Sequence, residues 1–167
     1  ERARGPVGPT ETFVRLAADS PFLVDELARN PGLFDEVIDL LLTGEKITIE
    51  RVTERIAATP GPPEKALAAV RRSSLLLVGI RDLGERANVA NVLEELTALA
   101  EAILRALAAK WGQASFWVLG LGKPGGREIG YGSDLDVVSA YEGGESEAPQ
   151  RAAQAVLRKS REAGLYE

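Results

Sequence analysis

The sequence predicts a mostly helical α+β protein, in which an N-terminal helical bundle is followed by the beginning of an α/β domain. Between Thr10 and Lys110, apolar residues recur at the spacing of amphipathic helices. From residue 115 onward the pattern changes to short runs of branched and aromatic residues bounded by glycines, which is typical of strands. We therefore expect a helical region over residues 1–112 and an α/β region over residues 113–167.

Six helices are predicted in the helical region, each from an apolar stripe bounded by capping residues or helix breakers. Ser20 and Pro21 would begin the second helix, because serine is a good N-cap and proline fits the first helical position. Pro31 would end that helix, and Gly44 would close the third. The simplest interpretation of the stripes is the core packing of a bundle. The predicted helices run from Thr10 or Thr12 through Ala17, from Ser20 to Pro31, and over 33–41, 48–58, 63–83 and 88–110.

Two strands and a further helix are predicted in the α/β region. The run SFWVLGL (115–121) and the run DLDVVSAY (134–141) are the strands. Gly143 and Gly144 would form a loop, and residues 149–163 would form a helix that ends at Gly164.

Composition excludes several classes of function. The formal net charge of −5 argues against a protein that grips nucleic acid, and no apolar run is long enough to span a membrane. Since the chain has no cysteine and no histidine, any metal must be held by oxygen ligands, which favours Mg²⁺, Mn²⁺ or Ca²⁺. The lack of cysteine fits a cytoplasmic location. Because the chain begins at Glu1 and contains no methionine, we expect it to be a fragment of a longer protein.

The stretch GLGKPGGREIGYGSDLDVV (120–138) carries most of the functional signal. Gly120, Gly122 and Gly125 match the G-x-G-x-x-G pattern of a dinucleotide-binding fold. That fold needs a crossover helix before the next parallel strand, and the seven residues 127–133 are too few for one. A Walker A loop is excluded as well, because no Gly-Lys-Ser/Thr closes the pattern.

Two interpretations of this stretch remain. It could be a glycine turn between two strands, with exposed aspartates. It could instead be a phosphate cradle, in which the bare backbone of Gly125 and Gly126 approaches a triphosphate. In that case Asp134 and Asp136, alternating with Leu135 on a strand, would emerge on one face about 7 Å apart and hold two magnesium ions for a nucleotidyl transfer. The second interpretation explains the residues together.

The same stretch resembles the signature of the nucleotidyltransferase superfamily related to DNA polymerase β, and more narrowly that of the glutamine synthetase adenylyltransferases. SPFLVDELARNPGLFDEVID (20–39) and LLLVGIRDL (75–83) resemble helical segments of that family. Within this resemblance Pro124 is a departure, since the family usually has an apolar residue such as leucine at that position.

The resemblance implies a partial polymerase-β-like domain after the bundle, and transfer of AMP from ATP to a tyrosine of glutamine synthetase in the control of nitrogen assimilation. It implies Mg²⁺ or Mn²⁺ as cofactor, ATP as substrate, and glutamine synthetase and a nitrogen-signalling protein as partners. The residues that it assigns are Asp134 and Asp136 as catalytic metal ligands, Gly125, Gly126 and Ser133 as triphosphate contacts, and Lys123 and Arg127 as nucleotide-binding candidates or, equally, solvent-exposed side chains.

Three functional alternatives stay open within the resemblance. GYGSDLD and the terminal GLYE resemble the AMP-attaching half of the family more than the AMP-removing half. The family's third carboxylate lies in a segment after LYE, so we expect this chain to lack that ligand and to be inactive by itself. A non-catalytic helical interaction module is the alternative from another class.

Overall fold

The computed structural model describes residues 20–84, 87–111, 116–141 and 147–162, together with the single positions 14, 18 and 164. In this part of the chain the protein is mostly helical with a small antiparallel sheet, as the sequence predicts. The elements are α1 (Pro21–Arg29), α2 (Gly32–Leu42), α3 (Ile49–Ala58), α4 (Pro63–Leu83), α5 (Val89–Trp111), β1 (Phe116–Gly120), α6 (Gly122–Gly126), β2 (Val137–Tyr141) and α7 (Glu147–Glu162).

The helix boundaries follow the capping signals closely. Thr48 is the N-cap of α3, and its hydroxyl accepts a hydrogen bond from the amide of Arg51 at 3.3 Å. Pro21 stands in the first turn of α1, but the side chain of Ser20 makes no capping bond. Gly44 follows α2 with a φ of 65°, the left-handed conformation that glycine adopts without strain. The predicted helix at Thr10 or Thr12, the glycine pair Gly143–Gly144 and the domain boundary near residue 112 lie outside the described residues.

The two longest helices, α4 and α5, form the centre of the core. Leu77 on α4 and Ile103 and Leu107 on α5 are completely buried, and α3 and α7 pack against them. The same apolar cluster contains Ile129, from the segment after α6, and Val156 of α7. The bundle and the later part of the chain therefore share one hydrophobic core.

A buried ion pair joins α4 to α5. Arg81 pairs with Glu95, which is only 5% exposed. The same Glu95 carboxylate accepts a hydrogen bond from the amide of Ile47 at 2.9 Å, and Arg81 donates to the carbonyl oxygen of Glu45 at 3.2 Å. These bonds hold the α2–α3 connection against the middle of the bundle.

The sheet consists of β1 and β2, which pair antiparallel with Gly120 opposite Val137 and Trp117 opposite Ala140. This arrangement agrees with the exclusion of a dinucleotide-binding fold, which needs parallel strands. Two details of the prediction were wrong. The glycine-rich stretch between the two strands, for which no helix was predicted, contains the short helix α6, and β2 begins at Val137 rather than at Asp134. The amide of Leu121 still donates to the carbonyl oxygen of Asp136 at 2.8 Å, so one further pair prolongs the ladder.

None of the helices in the described ranges is long and apolar enough to cross a membrane.

Candidate functional site

The short helix α6 leaves β1 directly and ends in a Schellman motif. The amide of Arg127 donates to the carbonyl oxygen of Pro124 at 3.3 Å, and the amide of Glu128 donates to that of Lys123 at 2.9 Å. Arg127 occupies the left-handed position of this motif with a φ of 58°, where glycine is usual. A non-glycine residue there costs about 1–2 kcal/mol, so a strained backbone lies within the candidate site.

The glycines that imitate a dinucleotide fingerprint have packing roles instead. A Cβ on Gly125 would stand 2.7 Å from the carbonyl oxygen of Gly120, and one on Gly120 would stand 3.0 Å from the Cβ of Pro124. These two glycines let α6 fold back onto the end of β1. Gly122 has a φ of 51°, and a Cβ there would stand 3.1 Å from a carboxylate oxygen of Asp136. Sequence reasoning assigned no role in this site to Gly120 or Gly122.

Gly126 differs from these three glycines. A Cβ at Gly126 would meet only the side chain of Glu128, at the ordinary contact distances of 3.7–3.8 Å. Its φ is outside the left-handed region, so neither packing nor backbone conformation requires glycine at this position. A bare backbone here is what the close approach of a phosphate would need.

Asp134 and Asp136 lie just before β2 and are both exposed, whereas Leu135 between them packs against the core. Both aspartates precede the strand that the sequence predicts to present them on one face, so the structure shows their exposure to solvent and not a shared strand face. Asp136 is held beside Gly122 by its carbonyl bond to Leu121. Within the described ranges, neither aspartate forms an ion pair. Both are therefore available as ligands.

The donor set agrees with a hard divalent cation, because both candidate ligands are carboxylate oxygens. Among the described residues, however, no group of three or more acidic, histidine or cysteine side chains could hold a metal ion. Asp134 and Asp136 therefore make up a partial ligand set, and the structure adds no third ligand to the two that the sequence nominates.

The remaining candidates differ in how they are engaged. The hydroxyl of Ser133 accepts a hydrogen bond from the amide of Gly130 at 2.8 Å, which closes the turn ahead of the aspartates. Arg127 pairs with Glu101 of α5 at 3.2 Å. The side chain of Lys123 is exposed and has no hydrogen bond or ion pair with any described residue. Of the two candidate cations, Lys123 is thus the one that the described residues leave unpaired.

The segment between α6 and the aspartates is anchored to the bundle by residues that the sequence analysis did not single out. The side chain of Ile129 is buried in the core, and its amide donates to the hydroxyl of Thr97 on α5 at 3.2 Å. Tyr131 donates its hydroxyl to Asp82 of α4 at 3.1 Å. Partial burial, and then the neighbouring Asp82 carboxylate, raise the pKa of the Tyr131 phenol. A threonine within the apolar stripe of α5 was the only sequence signal for these contacts.

A groove of about 810 Å³ lies between α5 and the start of the sheet. Gly120, Gly125 and Arg127 form its wall next to α6, while Trp117 and Leu104 contribute apolar surface. The helix α6 thus borders a space that a nucleotide or a segment of a protein substrate could enter.

Comparison with known proteins identifies a family for the chain. The model of the Glutamate-ammonia ligase adenylyltransferase family matches residues 10–160. No solved structure matches the chain. The family match spans the helical bundle, α6, the two aspartates and most of α7. The chain therefore belongs to the Glutamate-ammonia ligase adenylyltransferase family.

Proposed function

We propose that this chain contributes the first two metal ligands and the triphosphate cradle of an enzyme that transfers AMP from ATP to a tyrosine of glutamine synthetase. Family membership supports adenylyltransferase activity toward glutamine synthetase in general. The observation that carries the more specific proposal is the position of the Asp136 carboxylate, 3.1 Å from where a Cβ on Gly122 would stand, which brings a metal-type ligand to the beginning of α6. In such a site, the metal ligands and the phosphate-binding backbone must be neighbours.

The reaction is a displacement at phosphorus. The tyrosine hydroxyl oxygen forms a bond to the α-phosphorus of ATP, the bond from that phosphorus to the bridging oxygen breaks, and pyrophosphate leaves while the hydroxyl proton is released. A divalent cation bound to Asp134 and Asp136 would supply charge neutralisation for the phosphates and for the attacking oxygen. The residues of this chain orient the triphosphate and keep the two carboxylates side by side.

Three features support the nucleotide-binding roles. Gly126 leaves space that the fold itself does not need, so a phosphate can come close to its bare backbone. Lys123 is an exposed cation one turn away along α6, and can reach toward the triphosphate. Arg127 and Ser133 act less directly, because Arg127 is shared with Glu101 and the Ser133 hydroxyl already accepts the Gly130 amide.

We assign the attaching direction on the resemblance of GYGSDLD to that half of the family. Removal of AMP by phosphorolysis would use the same carboxylates in reverse, so their geometry favours neither direction. A non-catalytic role, in which the bundle docks glutamine synthetase or a nitrogen-signalling protein, is the second candidate. The observation that favours it is the absence of a third metal ligand among the described residues.

The test uses Asp134→Asn and Asp136→Asn in the full-length protein. Each variant should lower the transfer of labelled AMP from ATP to glutamine synthetase by more than about a hundredfold, because a lost metal ligand costs more than a lost outer-shell partner. Asp39→Asn, at an exposed carboxylate of α2, is the matched control and should transfer AMP normally. Circular dichroism should show all three variants folded.

Three results would count against the proposal. Normal transfer by either aspartate variant would remove the metal assignment. If the wild-type protein binds glutamine synthetase but transfers no AMP to it, the interaction module is favoured. Release of AMP from adenylylated glutamine synthetase in the presence of phosphate, without forward transfer, would assign the chain to the removing direction.

A further inference from the structure

We propose that the helical bundle positions the metal-binding carboxylates, through Thr97 and Asp82, which clamp the segment that carries them. This inference rests on the proposed function, because it concerns the same two aspartates. We call residues 128–136 the carboxylate loop. Neither Thr97 nor Asp82 is a candidate metal ligand. Thr97 lines the groove beside α6, but its hydroxyl is engaged by Leu93 and Ile129, so we treat both as positioning residues.

Thr97 is suited to this role by its hydrogen bonding. Its side chain is only 3% exposed, and its hydroxyl donates to the carbonyl oxygen of Leu93 in the same helix at 2.8 Å. Since the proton is committed to Leu93, a lone pair faces the amide of Ile129, which donates to it at 3.2 Å. One hydroxyl therefore fixes the position of the carboxylate loop along α5.

The second point of the clamp lies on α4. The hydroxyl of Tyr131 donates to the carboxylate of Asp82 at 3.1 Å, two residues beyond Ile129. At the first of these points the Ile129 side chain is also buried in the cluster that α4 and α5 share. The loop is thus held by two helices in succession before it reaches the aspartates.

The clamp ends where the candidate metal site begins. Ser133 closes the turn that contains Tyr131, Leu135 packs against the core, and the residues before and after it, Asp134 and Asp136, are exposed. A shift of Ile129 along α5 would move the turn and both carboxylates with it. Metal affinity depends on where the ligand oxygens are held, so weakening the clamp should weaken metal binding even though the ligands remain.

The test compares Thr97→Val, which keeps the shape but removes the acceptor, with Thr97→Ser, which keeps the hydroxyl. Binding of Mn²⁺ to the chain would be followed through the electron paramagnetic resonance signal of the free ion. Thr97→Val should raise the dissociation constant about tenfold, and Thr97→Ser should bind as the wild type does. Tyr131→Phe, at a half-exposed side chain that cannot unfold the core, should weaken Mn²⁺ binding in the same direction by a smaller factor.

The control for simple destabilisation is Ser73→Ala. Ser73 is completely buried on α4, and its hydroxyl accepts from Arg55 of α3 at 2.6 Å, away from the carboxylate loop. This variant loses a buried hydrogen bond as Thr97→Val does, and the two should melt at similarly lowered temperatures. It should nevertheless bind Mn²⁺ as the wild type does. Equal Mn²⁺ affinity in Thr97→Val and wild type, or equal weakening in Thr97→Val and Ser73→Ala, would overturn the clamp.

A second readout separates the clamp from the proposed function. Hydrogen exchange without metal should be faster at the amide of Leu121, whose acceptor is Asp136, in Thr97→Val than in Ser73→Ala. If Asp136→Asn binds Mn²⁺ as tightly as the wild type, the metal assignment fails and the exchange result alone decides. Identical exchange in the two variants would then overturn the clamp, and selectively faster exchange in Thr97→Val would support it.

Discussion

Gly125 lies so close to Gly120 that a Cβ on Gly125 would stand 2.7 Å from the Gly120 carbonyl oxygen. The contact is with backbone, which cannot rotate away. We therefore expect Gly125→Ala to lower the free energy of unfolding by about 1–3 kcal/mol in a urea titration, as overpacking does.

Gly126→Ala is the matched comparison one residue along the same helix. Because this position has room and an ordinary φ, alanine should leave stability unchanged or raise it by about 0.4–1 kcal/mol. The substitution should nevertheless weaken ATP binding in titration calorimetry, and Gly126→Val more so. Unchanged ATP affinity in both variants would place the cradle elsewhere.

Glu95→Ala should be among the most damaging single changes in the bundle. It leaves Arg81 as a buried cation without its carboxylate and removes the acceptor of the Ile47 amide. We expect a loss of about 3–5 kcal/mol in the free energy of unfolding.

The control for that variant is Glu36→Ala. Glu36 pairs with Arg55 on a more exposed surface, and Arg55 keeps its hydrogen bonds to Ser73 and Ser74. A pair of this kind contributes about 0–1 kcal/mol. Equal losses in the two variants would contradict the importance of burial at Glu95.

Thr48→Ala should cost about 1 kcal/mol, because it removes the hydroxyl that accepts the Arg51 amide at the start of α3. Ser20→Ala should cost much less, since Ser20 precedes α1 without a side-chain capping bond. Both losses of stability can be measured from the midpoints of urea unfolding curves, provided that the dependence of the free energy on urea concentration stays the same. A larger loss at Ser20 than at Thr48 would contradict the capping geometry.

Tyr131 makes stability depend on pH in the alkaline range. Burial and Asp82 raise its pKa, so the folded protein holds the phenolic proton more tightly than the unfolded chain does. The contribution is complete below about pH 10, the ordinary tyrosine pKa, and is lost as the pH rises beyond it. Melting temperatures of wild type and Tyr131→Phe should converge above that pH. Curves that stay parallel would show that Tyr131 ionises normally.

Local sequence signals predicted the helices well. Pro21, Thr48 and Pro63 each mark the start of a helix. Their local conformational preferences agree with the tertiary packing around them, so the prediction holds. The stretch 122–126 was predicted as a loop because three of its five residues are glycine and one is proline. It is helical because Pro124 lies in the first turn, where no amide is needed, and because Gly125 packs on β1.

The candidate site was only partly visible in the sequence. Asp134 and Asp136 could be selected because two aspartates separated by one residue point to the same side of an extended chain, a relationship that the local sequence alone reveals. The contacts of Thr97 and Asp82 with the carboxylate loop join residues more than thirty positions apart. No periodicity encodes such a contact, so it had to come from the packing of α4 and α5.

The groove beside α6 carries its own optical reporter. The chain has two tryptophans, and the ammonium groups of Lys110 and Lys159 lie 5.5 and 5.6 Å from the ring centre of Trp111. Trp117 is 50% exposed and lines the groove with Gly125 and Arg127. A ligand in the groove would exclude water from the Trp117 indole and leave the surroundings of Trp111 unchanged. Intrinsic fluorescence of the unlabelled protein, shifted to shorter wavelength and shielded from iodide, would therefore register occupancy directly.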